Sequence, residues 1–277
     1  MQIAMIQDRL TTLEKLDPVY LDRGTFFGDG VYEVLRSYNG KIFALDEHLQ
    51  RFADSLSAIR IIGVDINEIG SKVRMAFEKA AIPNAQIYFH ITRGSAPRNH
   101  NWDDNLKPNF FLTVTQLPDD KKTKAEGIAV STHPDWRWKR CDIKSLNLLP
   151  NILARRDAAK KGCTEAVLVD EKGFITEGAG SAFFAILDKT LRTSPLTNNI
   201  LPSITRKFVI KAAGNVGLKI TEKSVTAQES LAADELFIAV TTKDIVPVVK
   251  FDGQSIADGI PGKFTKLLMS EFLKFTK

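Results

Sequence analysis

A polar segment near the middle of the chain, residues 117–126, separates two stretches in which apolar and polar residues alternate regularly. It contains Pro118 and a dense cluster of lysines next to acidic residues. This composition is typical of a solvated connection, because it offers no apolar face to bury. We therefore predict a small N-terminal domain over residues 1–117, a linker over 118–126 and a larger domain over 127–277.

Local patterns predict an α+β fold, with a small N-terminal α/β domain and a larger, strand-rich C-terminal domain with flanking helices. Asn39-Gly40 is a strong hairpin signal between two apolar runs. Alternation and short apolar runs predict strands over residues 2–6, 18–21, 31–38, 41–44, 86–93, 110–116, 128–132, 165–169, 181–186, 218–225, 235–240 and 245–251. Apolar residues at helical spacing predict helices over residues 46–59, 67–81, 147–161, 203–217, 227–232 and 261–277.

The composition excludes several classes of protein. The 277 residues are 44% hydrophobic and 26% charged, as in an ordinary globular protein. No apolar run approaches the roughly 18 residues that a membrane span needs, and residues 1–10 lack the apolar core of a signal peptide. Cys141 and Cys163 show no metal-ligand spacing and are expected to be reduced thiols in the cytoplasm. The net charge is +5, but the basic residues are scattered among acidic ones, which argues against a nucleic-acid partner.

One lysine, Lys144, lies in an apolar and amide-rich neighbourhood just before a predicted helix. A lysine is most often a solvated surface charge. In apolar surroundings with other cations nearby, here Arg137, Lys139 and Arg140, it loses its proton more easily and becomes a nucleophile that forms Schiff bases. Further along the chain, Glu177 is a single carboxylate followed by small residues. An amine and a carboxylate facing a flat, glycine-lined surface are what pyridoxal phosphate requires.

Three features are suited to a phosphate dianion. Residues 201–206 open a predicted helix, where free backbone N–H groups and the positive end of the helix dipole attract anions. Ser203 in this segment is alternatively no more than a helix cap. Residues 241–243 end a predicted strand in a tight turn with hydroxyl and amide donors, and Arg51 offers a guanidinium with several N–H groups. Each feature is weak alone, but together with the lysine and the carboxylate they predict a cofactor that carries a phosphate.

These segments resemble those of the fold-type IV pyridoxal-phosphate enzymes, a family that includes D-amino-acid transaminases, branched-chain aminotransferases and aminodeoxychorismate lyases. The resemblance covers nearly the whole chain, and within the family it is strongest to the D-amino-acid transaminases. It implies a two-domain fold whose larger domain binds pyridoxal 5′-phosphate. The segments that carry it are DRGTFFGDGVYEV, CDIKSLNLLPNILA, TEGAGSAFF, NNILPSITR and TTKDIVPV.

The resemblance implies a role for each matching position. Lys144 matches the lysine that forms the Schiff base with the cofactor and moves the Cα proton of the substrate. Glu177 matches the carboxylate that bonds to the pyridine nitrogen, where an anion keeps that nitrogen protonated and the ring a better electron sink. The remaining cofactor-binding positions are Arg51, Ile204, Thr205 and Thr241 at the phosphate, and Leu201 against the ring.

The loop at residues 93–102, RGSAPRNHNW, predicts the subclass. Arg98 and His100, with Tyr32, match the residues that bind the substrate carboxylate in D-amino-acid transaminases, and Thr242 is expected to contribute to the same substrate site. Side chains at i and i+2 of an extended loop lie on the same side, so the two cations can hold one carboxylate. In this family these loop residues reach the active site of the partner subunit, which implies a homodimer.

The chain departs from the family pattern at two places. Gly178, Ala179, Gly180 and Ser181 stand where the D-amino-acid transaminases carry a serine-rich run, and the Pro202-Ser203 pair is also unusual. Neither departure removes a charged residue. Both are expected to affect the affinity for the cofactor and the preference for the side chain of the substrate amino acid.

The predicted reaction exchanges an amino group between a D-amino acid, such as D-alanine, and a 2-oxo acid, either 2-oxoglutarate or pyruvate. Two alternatives use the same fold with other substrates, namely an L-branched-chain aminotransferase and an aminodeoxychorismate lyase. A third alternative is a protein that binds polyanions. The positive net charge favours this alternative.

Overall fold

A computed structural model describes residues 1–118 and 120–277, so Asp119 of the predicted linker lies outside the described residues. The N-terminal part contains a hairpin, a short helix and a sheet on which two long helices pack. Its elements are β1 (Ile3–Ile6), β2 (Arg9–Thr12), α1 (Arg23–Phe27), β3 (Gly30–Tyr38), β4 (Lys41–Ile42), α2 (Leu45–Ala58), α3 (Ile66–Ala80), β5 (Ala85–Thr92) and β6 (Asn109–Gln116).

The C-terminal part is richer in strands, and together the two parts confirm the predicted α+β class. Its elements are α4 (Lys121–Glu126), β7 (Ile128–Pro134), α5 (Leu149–Lys160), β8 (Glu165–Val169), β9 (Ile175–Gly178), β10 (Ala182–Leu187), β11 (Thr190–Thr193), α6 (Ile204–Asn215), β12 (Lys219–Glu222), α7 (Ala227–Leu231), β13 (Glu235–Val240), β14 (Asp244–Phe251), β15 (Gln254–Ser255) and α8 (Lys263–Phe272). Short 3₁₀ helices cover Leu13–Lys15, Pro18–Leu21 and Leu273–Thr276.

The smaller sheet is antiparallel, with the strand order β4-β3-β5-β6 in the described part of the chain. Because successive residues of a strand face opposite sides, every second residue of β3 and β5 points towards α2 and α3. Leu35 of β3, Phe89 of β5, Phe52 of α2 and Val73 of α3 are fully buried in the resulting core. This core supports the strand that carries Tyr32.

The larger sheet has the order β12-β11-β10-β13-β14-β7-β8-β9 over the described residues, with β15 paired to β14. On one face, α6 and α8 pack against Phe184 and Phe237, and on the other face Phe251 lies in a second core. Because both faces are covered, strands such as β8, β10 and β13 read as nearly continuous apolar runs rather than as alternating ones.

The two sheets are joined along the free edge of β3. The backbone N–H of Tyr32 donates to the carbonyl of Lys144 at 3.0 Å, and the N–H of Leu146 donates to Gly30 at 3.0 Å. A β-bridge pairs Val31 with Ser145 between them. The segment before α5 therefore acts as a short extra strand beside β3, and this contact sets the position of Lys144.

Several predicted elements were wrong in detail. Residues 18–21 form a 3₁₀ helix rather than a strand, because Pro18 follows Asp17, whose side chain accepts from the N–H of Val19 at 3.0 Å. The predicted linker contains α4, and the predicted strand over 218–225 ends at Glu222. Strands β9 and β11, four residues each, were missed.

The boundaries proposed for the two domains stay a prediction. No helix among the described residues combines the length and the apolar character that crossing a membrane requires.

Candidate active site

A cavity of about 350 Å³ lies between the two sheets, and it contains most of the predicted site residues. Both parts of the chain contribute to its wall, since β3 and α2 lie on one side and the ends of β9 and β13 on the other. Of the predicted residues, those that line it are Tyr32, Arg51, Lys144, Glu177, Leu201, Thr241 and Thr242, together with Ser203 and the Gly178–Ser181 turn.

Lys144 presents its amine to this cavity. Its backbone is fixed on both sides, since its carbonyl accepts from Tyr32 and its N–H donates to Ser55 Oγ at 3.2 Å. Its Nζ lies 4.2 Å from the centre of the Tyr32 ring, and no described carboxylate forms an ion pair with it. Of the cations expected to flank it, Arg137 and Arg140 are paired with carboxylates instead. The amine is thus placed against an aromatic face without an anionic partner in the described part of the chain.

Glu177 is buried at the end of β9, and the described residues engage only one of its oxygens. Oε1 accepts from Arg137 Nη1 in a short contact and from the backbone N–H of Leu201 at 3.3 Å. Oε2 has no hydrogen-bond donor among the described residues. Burial, the largest influence, raises the pKa of the Glu177 carboxyl above its usual range, while the Arg137 guanidinium opposes that shift. This carboxylate therefore has a free oxygen and a strong affinity for a further proton or cation.

The start of α6 forms one end of the cavity. Ser203 caps this helix, because its Oγ accepts from the N–H of Arg206 at 3.2 Å. The first N–H groups of a helix have no acceptor within the helix, so those of Ile204 and Thr205 are available to an anion. Ser203 thus both caps the helix and lines the cavity. Thr241 lines the same cavity.

Arg51 is held at the same end by a buried ion-pair network. Its Nε and Nη2 donate to the two oxygens of Glu33 at 2.7 and 2.8 Å, and its Nη1 donates to the carbonyl of Pro202 at 3.0 Å. His48 Nδ1 lies 2.7 Å from Glu33 Oε2. A guanidinium has five N–H groups, so two remain for a further anion. The fork to Glu33 therefore orients Arg51 without exhausting its donors.

A second network holds the turn that contains Thr241 and Thr242. Arg36 of β3 donates to the carbonyl of Thr242 at 2.9 Å and to Asp244 at 3.1 Å. Lys124 of α4 donates to the other oxygen of Asp244 at 2.9 Å, and the Tyr38 hydroxyl forms a short bond to the same carboxylate. Two elements, β3 and α4, thereby fix the position of this turn.

Arg98 and His100 do not line the cavity of their own chain. They lie on the Phe27 ring, with the Arg98 guanidinium 5.1 Å and the His100 ring 5.3 Å from its centre. Buried Arg23 donates to the carbonyls of Asn99, His100 and Asn101, at 2.6, 3.3 and 3.3 Å respectively. The loop is therefore anchored by its backbone, while the side chains of Arg98 and His100 lie on Phe27, outside the cavity that Lys144 lines.

Two sets of ionisable residues that support the cavity lining have no clear signal in the sequence. Glu33 and His48 were not singled out, although Glu33 lies between Val31 and Leu35 on the buried face of β3. A carboxylate at a core-facing position is a signal that a buried partner exists. Arg137 was considered only as a neighbour of Lys144, and its partner Asp135, two residues away, was overlooked.

The groups present fit pyridoxal 5′-phosphate. The cavity has an amine without a carboxylate partner, a carboxylate oxygen without a donor among the described residues, and a helix start with a guanidinium beside it. These groups match an aldehyde, a ring nitrogen and a phosphate respectively. Residues Lys144 and Glu177 would hold the two ends of the ring system, and Arg51 with the start of α6 would hold the phosphate. The fold and the site thus define a pyridoxal-phosphate enzyme.

Comparison with known proteins places the chain in a family. A family model described as amino-transferase class IV matches residues 30–251. The D-alanine aminotransferase of Bacillus licheniformis is 39% identical over 249 residues, which cover 88% of this chain and 87% of that protein. The D-alanine aminotransferase of Staphylococcus haemolyticus is 39% identical over 259 residues, covering 92% and 91% respectively. The chain belongs to the class IV aminotransferases, whose cofactor is pyridoxal 5′-phosphate.

Solved structures show the same fold. The branched-chain amino acid aminotransferase of Escherichia coli has a TM-score of 0.86 and 25% identity, covering 96% of this chain and 92% of that one. A branched-chain aminotransferase of the archaeon Thermoproteus uzoniensis, solved with norvaline, has a TM-score of 0.84 and 25% identity, covering 99% and 94%. The predicted resemblance to the fold-type IV enzymes is confirmed.

Replacing Glu33 with glutamine is expected to destabilise the protein by about 3 to 5 kcal/mol at pH 7, because it leaves the buried Arg51 guanidinium without its counter-ion. Burial raises the pKa of Glu33, but the charges of Arg51 and His48 outweigh this effect and lower the pKa below its ordinary value of 4.5. The stability that Glu33 contributes is therefore complete above pH 4.5 and is lost as the pH falls towards the folded-state pKa. Urea unfolding of both proteins at a series of pH values measures this difference.

Glu68→Gln is the matched control, because Glu68 forms an exposed ion pair with Lys72 one helical turn away. It should change the free energy of unfolding by less than about 0.5 kcal/mol. A Glu33 variant as stable as this control would show that the buried network does not hold Arg51 in place.

Proposed function

We propose that the protein transfers an amino group between a D-amino acid, such as D-alanine, and a 2-oxo acid, with pyridoxal phosphate as cofactor. The observation that carries this proposal is the Lys144 amine, which faces the same cavity as the free oxygen of Glu177. The names of the relatives at 39% identity favour D-alanine as the amino donor. Pyruvate or 2-oxoglutarate is the expected acceptor.

Each residue of the cavity has a task in this reaction. Bound pyridoxal phosphate supplies an aldehyde that condenses with amines and a ring that withdraws electrons from the substrate Cα. Lys144 takes the proton from the Cα of the amino donor in the first half-reaction. In the second half-reaction, which is the first run backwards with the acceptor 2-oxo acid, Lys144 gives a proton to the Cα of the new amino acid. Glu177 would accept the N–H of the ring nitrogen through its unoccupied oxygen, and Leu201 would pack on the ring. The phosphate is bound by Arg51, by the N–H groups of Ile204 and Thr205 and by Thr241.

We propose that the substrate carboxylate is bound by Tyr32 and Thr242 of one subunit and by Arg98 and His100 of the partner subunit in a homodimer. Arg98 and His100 lie away from Lys144 of their own chain, while the mouth of the cavity carries exposed apolar side chains. Ile152 is 60% and Trp138 44% exposed, and both line the cavity. A second copy that covers this apolar rim would remove it from water and close the cavity.

We also propose that the protein acts in the cytoplasm, because Cys141 and Cys163 are free thiols. The three-part division of the chain, with domains over 1–117 and 127–277 and a linker between them, is likewise a proposal. It is supported by the separate hydrophobic cores of the two sheets.

D-Alanine and L-alanine distinguish the two main candidates. In single-turnover experiments with loaded enzyme, D-alanine should release pyruvate at least about tenfold faster than L-alanine, because the carboxylate position fixes which face of Cα meets Lys144. The branched-chain aminotransferases among the structural neighbours make L-leucine the informative comparison. Faster deamination of L-leucine than of D-alanine would replace the D-specific proposal and leave the cofactor assignment intact.

Borohydride treatment of the protein loaded with pyridoxal phosphate should leave a phosphopyridoxyl group on Lys144. Peptide mass mapping locates the modified side chain. Lys139→Ala, which removes a nearby lysine, should carry the same modification, whereas Lys144→Ala should carry none and lose at least about a thousandfold in kcat. A modification on another lysine of the wild-type protein would refute the assignment of Lys144.

Mixed dimers test whether the site is shared between subunits. Arg98→Ala and Lys144→Ala should each be nearly inactive with D-alanine as homodimers. Co-expression should restore about a quarter of the wild-type activity, because random pairing makes half of the dimers mixed and each mixed dimer has one complete site. Absence of any recovery in mixed dimers that form normally would show that Arg98 acts within its own chain or not at all.

A further inference from the structure

Asp135, Arg137 and Glu177 form a connected triad, in which Arg137 and Glu177 line the cavity and Asp135 lies behind Arg137. Arg137 donates to Asp135 with two groups, Nε to Oδ1 at 2.9 Å and Nη2 to Oδ2 at 2.7 Å, and it donates to Glu177 with Nη1. The Thr176 hydroxyl donates to Asp135 Oδ2 at 2.7 Å. A bidentate pair on one side and a single contact on the other fix the guanidinium in one orientation.

The triad holds two carboxylates and only one cation. Its net charge is therefore −1 when both carboxylates are ionised. Asp135 is ionised, because Arg137 and Thr176 lower its pKa despite the opposing effect of burial. Burial also works against the charged form of Arg137, but its bonds to Asp135 and the charge of Glu177 outweigh this and raise its pKa. Cys141 does not alter the balance, because burial raises the pKa of its thiol to about 11.

No other described cation forms an ion pair with Asp135 or Glu177. Arg51 is paired with Glu33, and Arg155 is paired with buried Glu165 at 3.5 Å. Lys144 has no ion-pair partner among the described residues, and it faces the Tyr32 ring. The only position at which the described part of the triad can offer this charge is Glu177 Oε2, which no described donor occupies. Burial raises the pKa of Glu177, so this oxygen has a strong affinity for a proton or for the N–H of a bound cation.

We propose that Asp135 is a positioning residue that supplies the surplus negative charge of the triad, so that the ring nitrogen of the bound cofactor stays protonated. The inference rests on the cofactor role proposed above. With Asp135 removed, Arg137 would neutralise Glu177 by itself, and the pair would offer no net charge to a protonated nitrogen. Asp135 acts through Arg137 and does not touch the cofactor.

The direct test is nitrogen-15 NMR of the protein loaded with ring-labelled pyridoxal phosphate, since the chemical shift separates a protonated from an unprotonated pyridine nitrogen. The wild-type protein should give the protonated signal at pH 8. Asp135→Asn should move the signal towards the unprotonated position and weaken cofactor binding about tenfold. Arg137→Lys, which keeps the charge but loses the fork, should keep the protonated signal with a larger dissociation constant.

Asp142→Asn is the matched control. Asp142 also forms a bidentate pair with an arginine two residues away, Arg140, but on the surface and away from Glu177. It should leave the nitrogen signal and cofactor affinity unchanged. A protonated signal in folded Asp135→Asn identical to that of the wild type would overturn the inference alone. A wild-type protein that binds no pyridoxal phosphate would instead refute the proposed function.

Discussion

Two backbone hydrogen bonds at the free edge of β3, from Tyr32 to Lys144 and from Leu146 to Gly30, determine the geometry of the whole site. An unpaired strand edge offers N–H and C=O groups to any segment that can lie along it. Here that segment is the connection between β7 of the larger sheet and α5, and it carries the lysine. The contact that joins the two halves of the molecule is therefore the same contact that places the amine against the Tyr32 ring.

Buried ion pairs then fix the remaining walls. Such pairs contribute little net stability, because the loss of hydration offsets the attraction between the charges. Their effect here is on position. The Glu33–Arg51 pair links β3 to α2 and to the loop before α6, and the Arg36–Asp244 pair links β3 to the turn after β13. Strand β3 thus orients both arginine networks as well as the lysine segment, although it donates only Tyr32 and Val34 to the cavity wall.

Much of the regular structure was predictable because its signals are local. The stripe from Leu49 to Ile59 is a helical face, and α2 ends at Ala58. The prediction was wrong for elements whose sequence patterns are weak or ambiguous. Strand β9 has four residues and is buried on both sides, so that neither length nor alternation reveals it. The segment 18–21 combines strand-forming residues with a proline at its start, and it forms a 3₁₀ helix.

The sequence by itself determined the α+β class, the family, and the chemical identity of the groups at Lys144 and Glu177, because residue type and local spacing encode them. Only the tertiary structure decided which charges pair. Asp135 reaches Glu177 through Arg137 across distant strands, and Glu33 meets Arg51 across a strand and a helix. It also decided that Arg98 and His100 face away from the lysine of their own chain. Pairing depends on distances between segments far apart in sequence, and no local pattern of residues contains those distances.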